Sequence, residues 1–218
     1  MPLSIQFQQA KPSSFGGDDI VGRFRSGRQT QGRPQSLQTW RATADDRGVT
    51  DAIARLLGGK SAEWETAKND KWEVITEADS LDITLEYLNV QMVLWGSAPG
   101  GKPVRTCDGT VRRDAGSHCE CPSDLKERKA AASNGLACKP ETQAVFRLTE
   151  LPDLGKFRYV SGSYGLADTI TRLEEELASA GGATQATISL KQVEFDTASG
   201  EHRKYTLPVI KLREPALA

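Results

Sequence analysis

All four cysteines of this 218-residue chain, Cys107, Cys119, Cys121 and Cys138, fall in one short stretch, and the long flanks on either side contain none. Such clustering specifies a local site rather than a framework spread through a fold. Four thiolates complete the tetrahedral shell of a zinc ion and leave no position open to substrate, so a structural zinc holding a loop-rich module is the expectation. Two disulfides would use the same residues but need an oxidising compartment. A set of free or redox-active thiols is the third reading. The spacing Cys-x11-Cys-x-Cys-x16-Cys differs from the common paired C-x2-C pattern. His118, adjacent to Cys119, is an alternative donor that would replace one sulfur.

The N-terminus, Met1-Pro2-Leu3-Ser4-Ile5-Gln6-Phe7, has no basic start followed by an apolar run, so no secretory signal is expected. No run of about 18 apolar residues exists, so no membrane span is expected. Net charge is −1, from 28 basic and 29 acidic residues, unlike a globally basic nucleic-acid binder. The balance hides local surpluses. Residues 11–36 carry a net +3, and so do residues 101–139. Four thiolates on a zinc ion would add about −2 to the second segment and cancel most of its excess.

Residues 1–36, rich in Gln, Ser, Gly and Arg without a sustained apolar period, read as a flexible tail. From Leu37 to Ala218 the pattern is that of a single domain with an insertion at about 102–140. Leu37–Ala44 reads as a strand. Val49, Ala52, Ile53, Leu56 and Leu57 share one face of a helix that Gly58-Gly59 stops. Trp72–Ala78 is the next strand. Leu81, Ile83, Leu85 and Tyr87 alternate with polar residues as a half-buried strand does. Val90–Gly96 is more continuously apolar and ends on Trp95, expected in the core. Lys126–Ala132 reads as a helical turn or two inside the insertion. Gln143–Thr149 and Lys156–Val160 are strands, and Leu166, Ile170, Leu173 and Leu177 form a helical stripe opposite an acidic face. Two strands, Thr187–Phe195 and Lys204–Leu212, close the chain. A bulge near Lys191-Gln192 would reconcile their apolar parities, and Pro208 implies an edge position. About seven strands and two helices without regular alternation favour an α+β fold. Its body is a mostly antiparallel sheet or barrel-like, with an inserted four-cysteine module.

Catalytic constellations are missing. There is no G-x-S-x-G elbow, Walker-type loop or H-E-x-x-H, and the two histidines, His118 and His202, suit no triad. Asp79, Asp82 and Glu86 lie along a strand whose outer face is ordinarily solvated. The chain reads as a non-enzyme. Trp40-Arg41 and Lys71-Trp72 have the composition of a base-stacking platform, which keeps open a zinc-stabilised single-stranded-DNA-binding protein of phage DNA metabolism.

The succession of short segments carries more information than any one of them. Gly22-Arg23-Phe24-Arg25-Ser26-Gly27 is followed by Gly32-Arg33-Pro34-Gln35-Ser36-Leu37-Gln38-Thr39-Trp40-Arg41, then Leu57-Gly58-Gly59, Trp64 and Trp72-Glu73-Val74-Ile75-Thr76. Arg105-Thr106-Cys107-Asp108-Gly109, Cys119, Cys121, Cys138-Lys139-Pro140-Glu141-Thr142 and Leu151-Pro152-Asp153-Leu154-Gly155-Lys156-Phe157-Arg158 complete the run. Over residues 20–195 this resembles the recombination directionality factors of temperate actinobacterial phages that use large serine integrases. The resemblance implies a non-catalytic protein of the host bacterial cytoplasm. It would bind its integrase on attachment-site DNA, through the integrase's coiled-coil arm, and favour prophage excision over integration with little sequence-specific DNA contact of its own. It also implies zinc on Cys107, Cys119, Cys121 and Cys138. Arg23, Arg25 and Arg28 are one candidate partner-binding patch, and the acidic face of the Leu166–Ala180 helix is another.

Overall fold

The computed structural model describes residues 20–30, 33–64, 66, 70–96, 102–173, 176, 182–197 and 200–213. They fall into two compact units. Of the described residues, the smaller unit holds those within Asn89–Thr142 and Ser161–Ser179, and the larger holds those from Ile20 to Leu88, within Gln143–Val160 and from Ala180 onward. The insertion expected at 102–140 is therefore part of a wider unit that also takes in the strand before it and a helix from later in the chain.

Among the described residues there are ten strands and three α-helices. In chain order they are β1 (Ile20–Thr30), β2 (Arg33–Ala44), α1 (Arg47–Leu57), β3 (Ser61–Glu63), β4 (Trp72–Ile75), β5 (Ser80–Trp95), β6 (Pro103–Cys107), α2 (Leu125–Ser133), β7 (Lys139–Leu148), β8 (Lys156–Ser161), α3 (Tyr164–Arg172), β9 (Thr184–Asp196) and β10 (His202–Leu212). The strands neighbour one another in the order β10-β9-β5-β7-β8-β1-β2-β4-β3, while β6 pairs with the far end of β5. Pairing is mainly antiparallel, and β1 runs parallel to β8. This is the mostly antiparallel α+β arrangement expected, with more strands than periodicity alone revealed.

Residues 20–36 correct the expectation of a tail. β1 and β2 form a long hairpin with Gly22 opposite Ala44 and Thr30 opposite Arg33. The scattered apolar residues that failed to make a period, Phe24 above all, serve one packed cluster. Phe24 is buried with its ring centroid 5.2 Å from Phe157, 5.7 Å from Phe146 and 6.1 Å from Trp40. Tyr159 meets Trp40 edge-on at 5.2 Å. Such edge-to-face arrangements align the positive ring edge with the negative face of a neighbour. Both polar ends are satisfied. Trp40 Nε1 donates to the Asp79 carbonyl at 3.0 Å, and the Tyr159 hydroxyl lies 3.2 Å from Ser26 Oγ. The first 19 residues of the expected tail lie outside the described residues.

Helix α1 begins where Asp46 accepts from the Gly48 N–H at 2.7 Å, a side-chain cap for an otherwise orphaned donor. It buries Val49, Thr50 and Ile53 and stops at Gly58 and Gly59, both with positive φ. A Cβ on Gly59 would collide with the Ile75 carbonyl, so only glycine lets the chain turn back along β4.

Strand β5 joins what the sequence presents as two strands. Leu81, Ile83 and Leu85 are buried on one parity, then Leu88, Val90 and Met92 on the other. The parity changes at Glu86-Tyr87, next to the boundary between the two units. Hairpin β9–β10, by contrast, has no bulge at Lys191-Gln192, for its register is continuous from His202 opposite Asp196 to Leu212 opposite Ala186. The conflicting parities have another cause. Ala186, Ile188 and Leu190 are buried, and beyond Leu190 β9 leaves the core. Phe195 and Tyr205 are both exposed there and pair with each other at 6.0 Å. Pro208 sits in β10, the edge strand, where its missing N–H costs no ladder bond.

On the outer face Glu86 is held by Arg147 at 2.7 Å and Lys156 at 3.1 Å. Burial works to raise the Glu86 pKa, but hydrogen bonds from Lys156 and Arg147 outweigh it and hold the carboxyl below its usual range. A depressed carboxylate contributes stability above its unfolded pKa and loses it as pH falls through the folded one. Glu86→Gln should therefore lower the melting temperature at neutral pH and flatten its decline between neutral and acid pH, as read by melting curves across that range. In the aromatic cluster, Phe24→Ala should cost about 3–5 kcal/mol in denaturant unfolding. A tail residue would cost nothing.

Candidate metal centre

The smaller unit buries Val90, Val93, Leu166 and Ile170, and it also has a core cluster built on sulfur. Met92, Cys107, Cys119, Cys121, Ala137 and Cys138 form one buried cluster, with Leu94, Ala131, Ala132 and Tyr164 packed against it. Each cysteine arrives by a separate local device. Cys107 ends β6, opposite Met92 of β5. Asp108 then folds the chain back, its carboxylate accepting from the Thr110 and Val111 N–H groups at 2.8 Å each. Short bridges pair Cys107 with Arg112 and Val111 with His118, and Cys119 N–H reaches the Thr110 carbonyl. Cys119 and Cys121 thus project from a tight turn. Asp124 caps α2 by accepting from Glu127 N–H at 2.9 Å, and the chain returns through Gly135 to Cys138. The Cys138 N–H donates to Cys121 Sγ at 3.2 Å.

The four sulfurs lie within 4.8 Å of one another and all four residues are buried. No disulfide joins any two of them. The shortest sulfur–sulfur separation among the hydrogen-bonded pairs is 3.3 Å, between Cys119 and Cys121. A tetrahedral ion with metal–sulfur bonds of about 2.3 Å would set its sulfurs about 3.8 Å apart. The donor set therefore fits one such ion with small adjustments. His118 is exposed and stands outside the sulfur cluster.

Two buried arginines, unremarked in the sequence, frame the site. Arg105 donates to Glu120 Oε2 at 2.6 Å and to the Leu136 carbonyl at 3.0 Å, and its Nη2 lies 3.8 Å from Cys121 Sγ. Arg128 reaches back from α2 to the Pro122 and Gly109 carbonyls at 2.7 and 2.8 Å, tying both knuckles to the helix. Their only sequence signal is an arginine two residues before one cysteine and another seven after a second, a pattern too common to single out.

The electrostatics show why the cluster calls for a cation. Hydrogen bonding with Cys107, and then with Arg105, pulls Cys138 down to about 5. Burial pushes Cys121 up to about 11. The bond with Cys138 and then burial push Cys107 well up. Burial also opposes the charge on Arg105, but Cys138 and the neighbouring sulfurs outweigh it and hold that guanidinium firmly protonated. One thiolate is tolerated beside one arginine, whereas four would need further positive charge at their centre.

The arginines Arg23, Arg25 and Arg28 are not brought to this centre. They stand on β1 in the larger unit. Arg23 is ion-paired with Asp70, Arg25 lies 3.8 Å from the same carboxylate, and exposed Arg28 donates to Gln35 Oε1 at 3.1 Å. Glu174 and Glu175 of the proposed acidic face lie outside the described residues. Of the tryptophans, Trp40, Trp64 and Trp72 are taken up in packing and Trp95 departs from expectation. Trp40 is fully buried, and Arg41 and Arg47 lie over the rings of Trp64 and Trp72 at 4.2 and 4.9 Å. Trp95, expected in the core, is 44 % exposed, with its Nε1 donating to Glu141.

Fold and site together define a largely antiparallel α+β protein that carries a buried four-cysteine cluster able to hold a metal. The chain belongs to the Gp3-like family, recombination directionality factor-like proteins, whose model matches residues 21–213. That family points to a regulatory rather than a catalytic role. The match begins at β1 and ends just beyond β10, so it embraces both units. No solved structure matches the chain. No helix among the described residues is long and apolar enough to cross a membrane.

Metal analysis of purified protein should find one tightly held divalent ion per chain. Cys138→Ala should abolish it and melt the smaller unit, seen as lost amide protection in hydrogen exchange over residues 102–142. Arg105→Met should retain the ion with roughly 10–100-fold lower affinity in chelator competition, because it removes an outer-shell partner of the sulfurs.

Proposed function

We propose that this protein is a recombination directionality factor that binds a phage-encoded large serine integrase on attachment-site DNA and switches it from integration to prophage excision. The family match across residues 21–213 carries the reading. The setting would be the host bacterial cytoplasm. The ion would be zinc, closed off by Cys107, Cys119, Cys121 and Cys138, and its role structural. Four cysteine ligands complete a tetrahedral shell, so the ion shapes a surface and presents no vacant position to a substrate.

The physical task is a population shift. A factor that makes no bond can redirect a recombinase only by binding one arrangement of its synaptic complex better than another. Reversing a 99:1 preference takes about 10⁴-fold differential affinity, or ~5.5 kcal/mol, within reach of one ordinary protein interface. A chain of net charge −1 suits this division of labour, with the integrase supplying the DNA contacts. Of the three β1 arginines, Arg28 is the exposed one near the hairpin end and the one we place in partner contact. Arg23 and Arg25 are engaged with Asp70. The single-stranded-DNA reading has less support, since Trp40 is core and the Trp64 and Trp72 rings already carry arginines.

Recombination with purified cognate integrase tests the proposal. Adding this protein should start recombination between the two prophage-end sites and suppress it between the phage and bacterial sites. The zinc-free Cys138→Ala variant should do neither. An integrase indifferent to the protein on all site pairs, together with tight binding of this chain to bare single strands, would reverse the assignment.

A further inference from the structure

The unbulged register of the β9–β10 hairpin has a consequence for its outer half. Residues opposite one another in an antiparallel pair share a face, so Ser189 and Val209, Lys191 and Leu207, and Val193 and Tyr205 stand on one side. The other side is turned to the body. Ile188, Leu190, Pro208 and Ile210 are buried there, and Thr206 Oγ1 donates to the Leu37 carbonyl of β2 at 2.8 Å. Val193, Phe195, Tyr205, Leu207 and Val209 therefore form an apolar stripe along the outward side. Phe195 and Tyr205 are each 45 % exposed. A two-stranded ribbon gains nothing by turning such a stripe to water, and exposed apolar patches of this kind mark contact surfaces. Charge is sorted between the two sides. No Asp or Glu of either strand occupies the outward side. Glu194 and Asp196 face the other way, matched to Lys204 at 2.6 Å and His202 at 2.9 Å. Asp82 of β5 shares the outward side, opposite Thr187, and is engaged by Arg213 and by the Thr187 hydroxyl. Lys191 and Lys211 are both exposed there and form no ion pair among the described residues.

Size and charge select the occupant. From Val209 to Phe195 the stripe runs about 20 Å, and two strands make it about 10 Å wide. That is the width of one α-helix and the length of roughly four helical turns. Its area of about 200 Å² falls far short of the ~800 Å² per partner that a stable pair needs, and a two-fold contact between copies would press two lysine-bearing faces together. A helix that belongs to a larger partner meets neither objection. Other contacts supply the remaining area, and acidic side chains along its flanks would face Lys191 and Lys211. We propose that the outward side of the β9–β10 hairpin docks one amphipathic helix of the integrase, apolar along the stripe and acidic at its flanks. This rests on the reading that the chain binds an integrase, and it assigns the surface that does so. Phe195 and Tyr205 would be the anchors, as paired aromatics at the centre of an interface commonly are.

Calorimetric titration of the full-length protein with purified cognate integrase tests the assignment. Phe195→Ser and Tyr205→Ser should each weaken binding at least tenfold. Lys191→Glu and Lys211→Glu together should do the same, with the loss largest at low salt, whereas Lys191→Arg with Lys211→Arg should match the parent. Glu194→Gln, on the other side of the ribbon, should also match it. Every one of these side chains is exposed, and melting curves that overlay the parent's establish that the variants are folded. Photocrosslinking then identifies the occupant. A benzophenone side chain in place of Tyr205, irradiated with integrase on prophage-end DNA, should join a helical integrase segment whose apolar stripe is flanked by Asp or Glu. The same group in place of Glu194 should give at least tenfold less adduct. A parent protein that does not bind integrase would remove the functional reading and this inference with it. A parent that binds, beside folded serine and glutamate variants that bind equally well, would overturn the docking face alone. An adduct from position 205 to DNA, or to a second copy of this chain, would overturn it as well.

Discussion

Four sulfurs held within 4.8 Å of one another, away from water, pose a charge problem that shapes the smaller unit. Thiols in that position are weakly bonded and bulky, and thiolates repel. Either state is poor without a cation at the centre, and a metal ion converts the same atoms into the strongest bonds in the unit. The surroundings are arranged for the ionised state. Arg105 brings a buried positive charge to the cluster, and the Cys138 N–H points at a sulfur. Arg128 spends its guanidinium on two loop carbonyls rather than on solvent. A metal held there would add to the order that the buried hydrocarbon of this unit supplies.

The larger unit follows the opposite strategy. Its centre is hydrocarbon, with Phe24, Trp40, Phe146, Phe157 and Tyr159 drawn from β1, β2, β7 and β8. The pair β1 and β2 is distant in sequence from the pair β7 and β8, so no local signal announces that they belong together. The parallel pairing of β1 with β8 is what brings Phe24 and Phe157 into contact.

Legibility in the sequence tracked locality. Helix α1, with its cap, stripe and terminating glycines, was readable almost to the residue, because every determinant lies within a dozen positions. The four-cysteine cluster was readable because clustered cysteines are rare and their chemistry narrow. β1 was not: its outward residues are Arg23, Arg25 and Arg28, and its one large inward side chain is a lone phenylalanine, two of whose ring partners, Phe146 and Phe157, are over a hundred residues away. The apparent break in β5 had a different origin, for a change of parity imitates the gap between two strands. Trp95 was misjudged because an apolar neighbourhood in sequence does not ensure cover in space. The burial of Arg105 against the sulfurs lay beyond reach, since a surface charge and a buried one look alike on paper.

That inversion of parity within β5 gives the strand two masters. Leu81, Ile83 and Leu85 are buried on one parity, and Leu88, Val90 and Met92 on the other. A slide by a single residue would turn both sets outward together. Alignment is thereby policed at each end of a sixteen-residue ribbon, and the loss or gain of one residue at Glu86-Tyr87 could keep one set buried only by exposing the other. Lineages of such chains should vary freely in the loops while keeping the length of this ribbon constant.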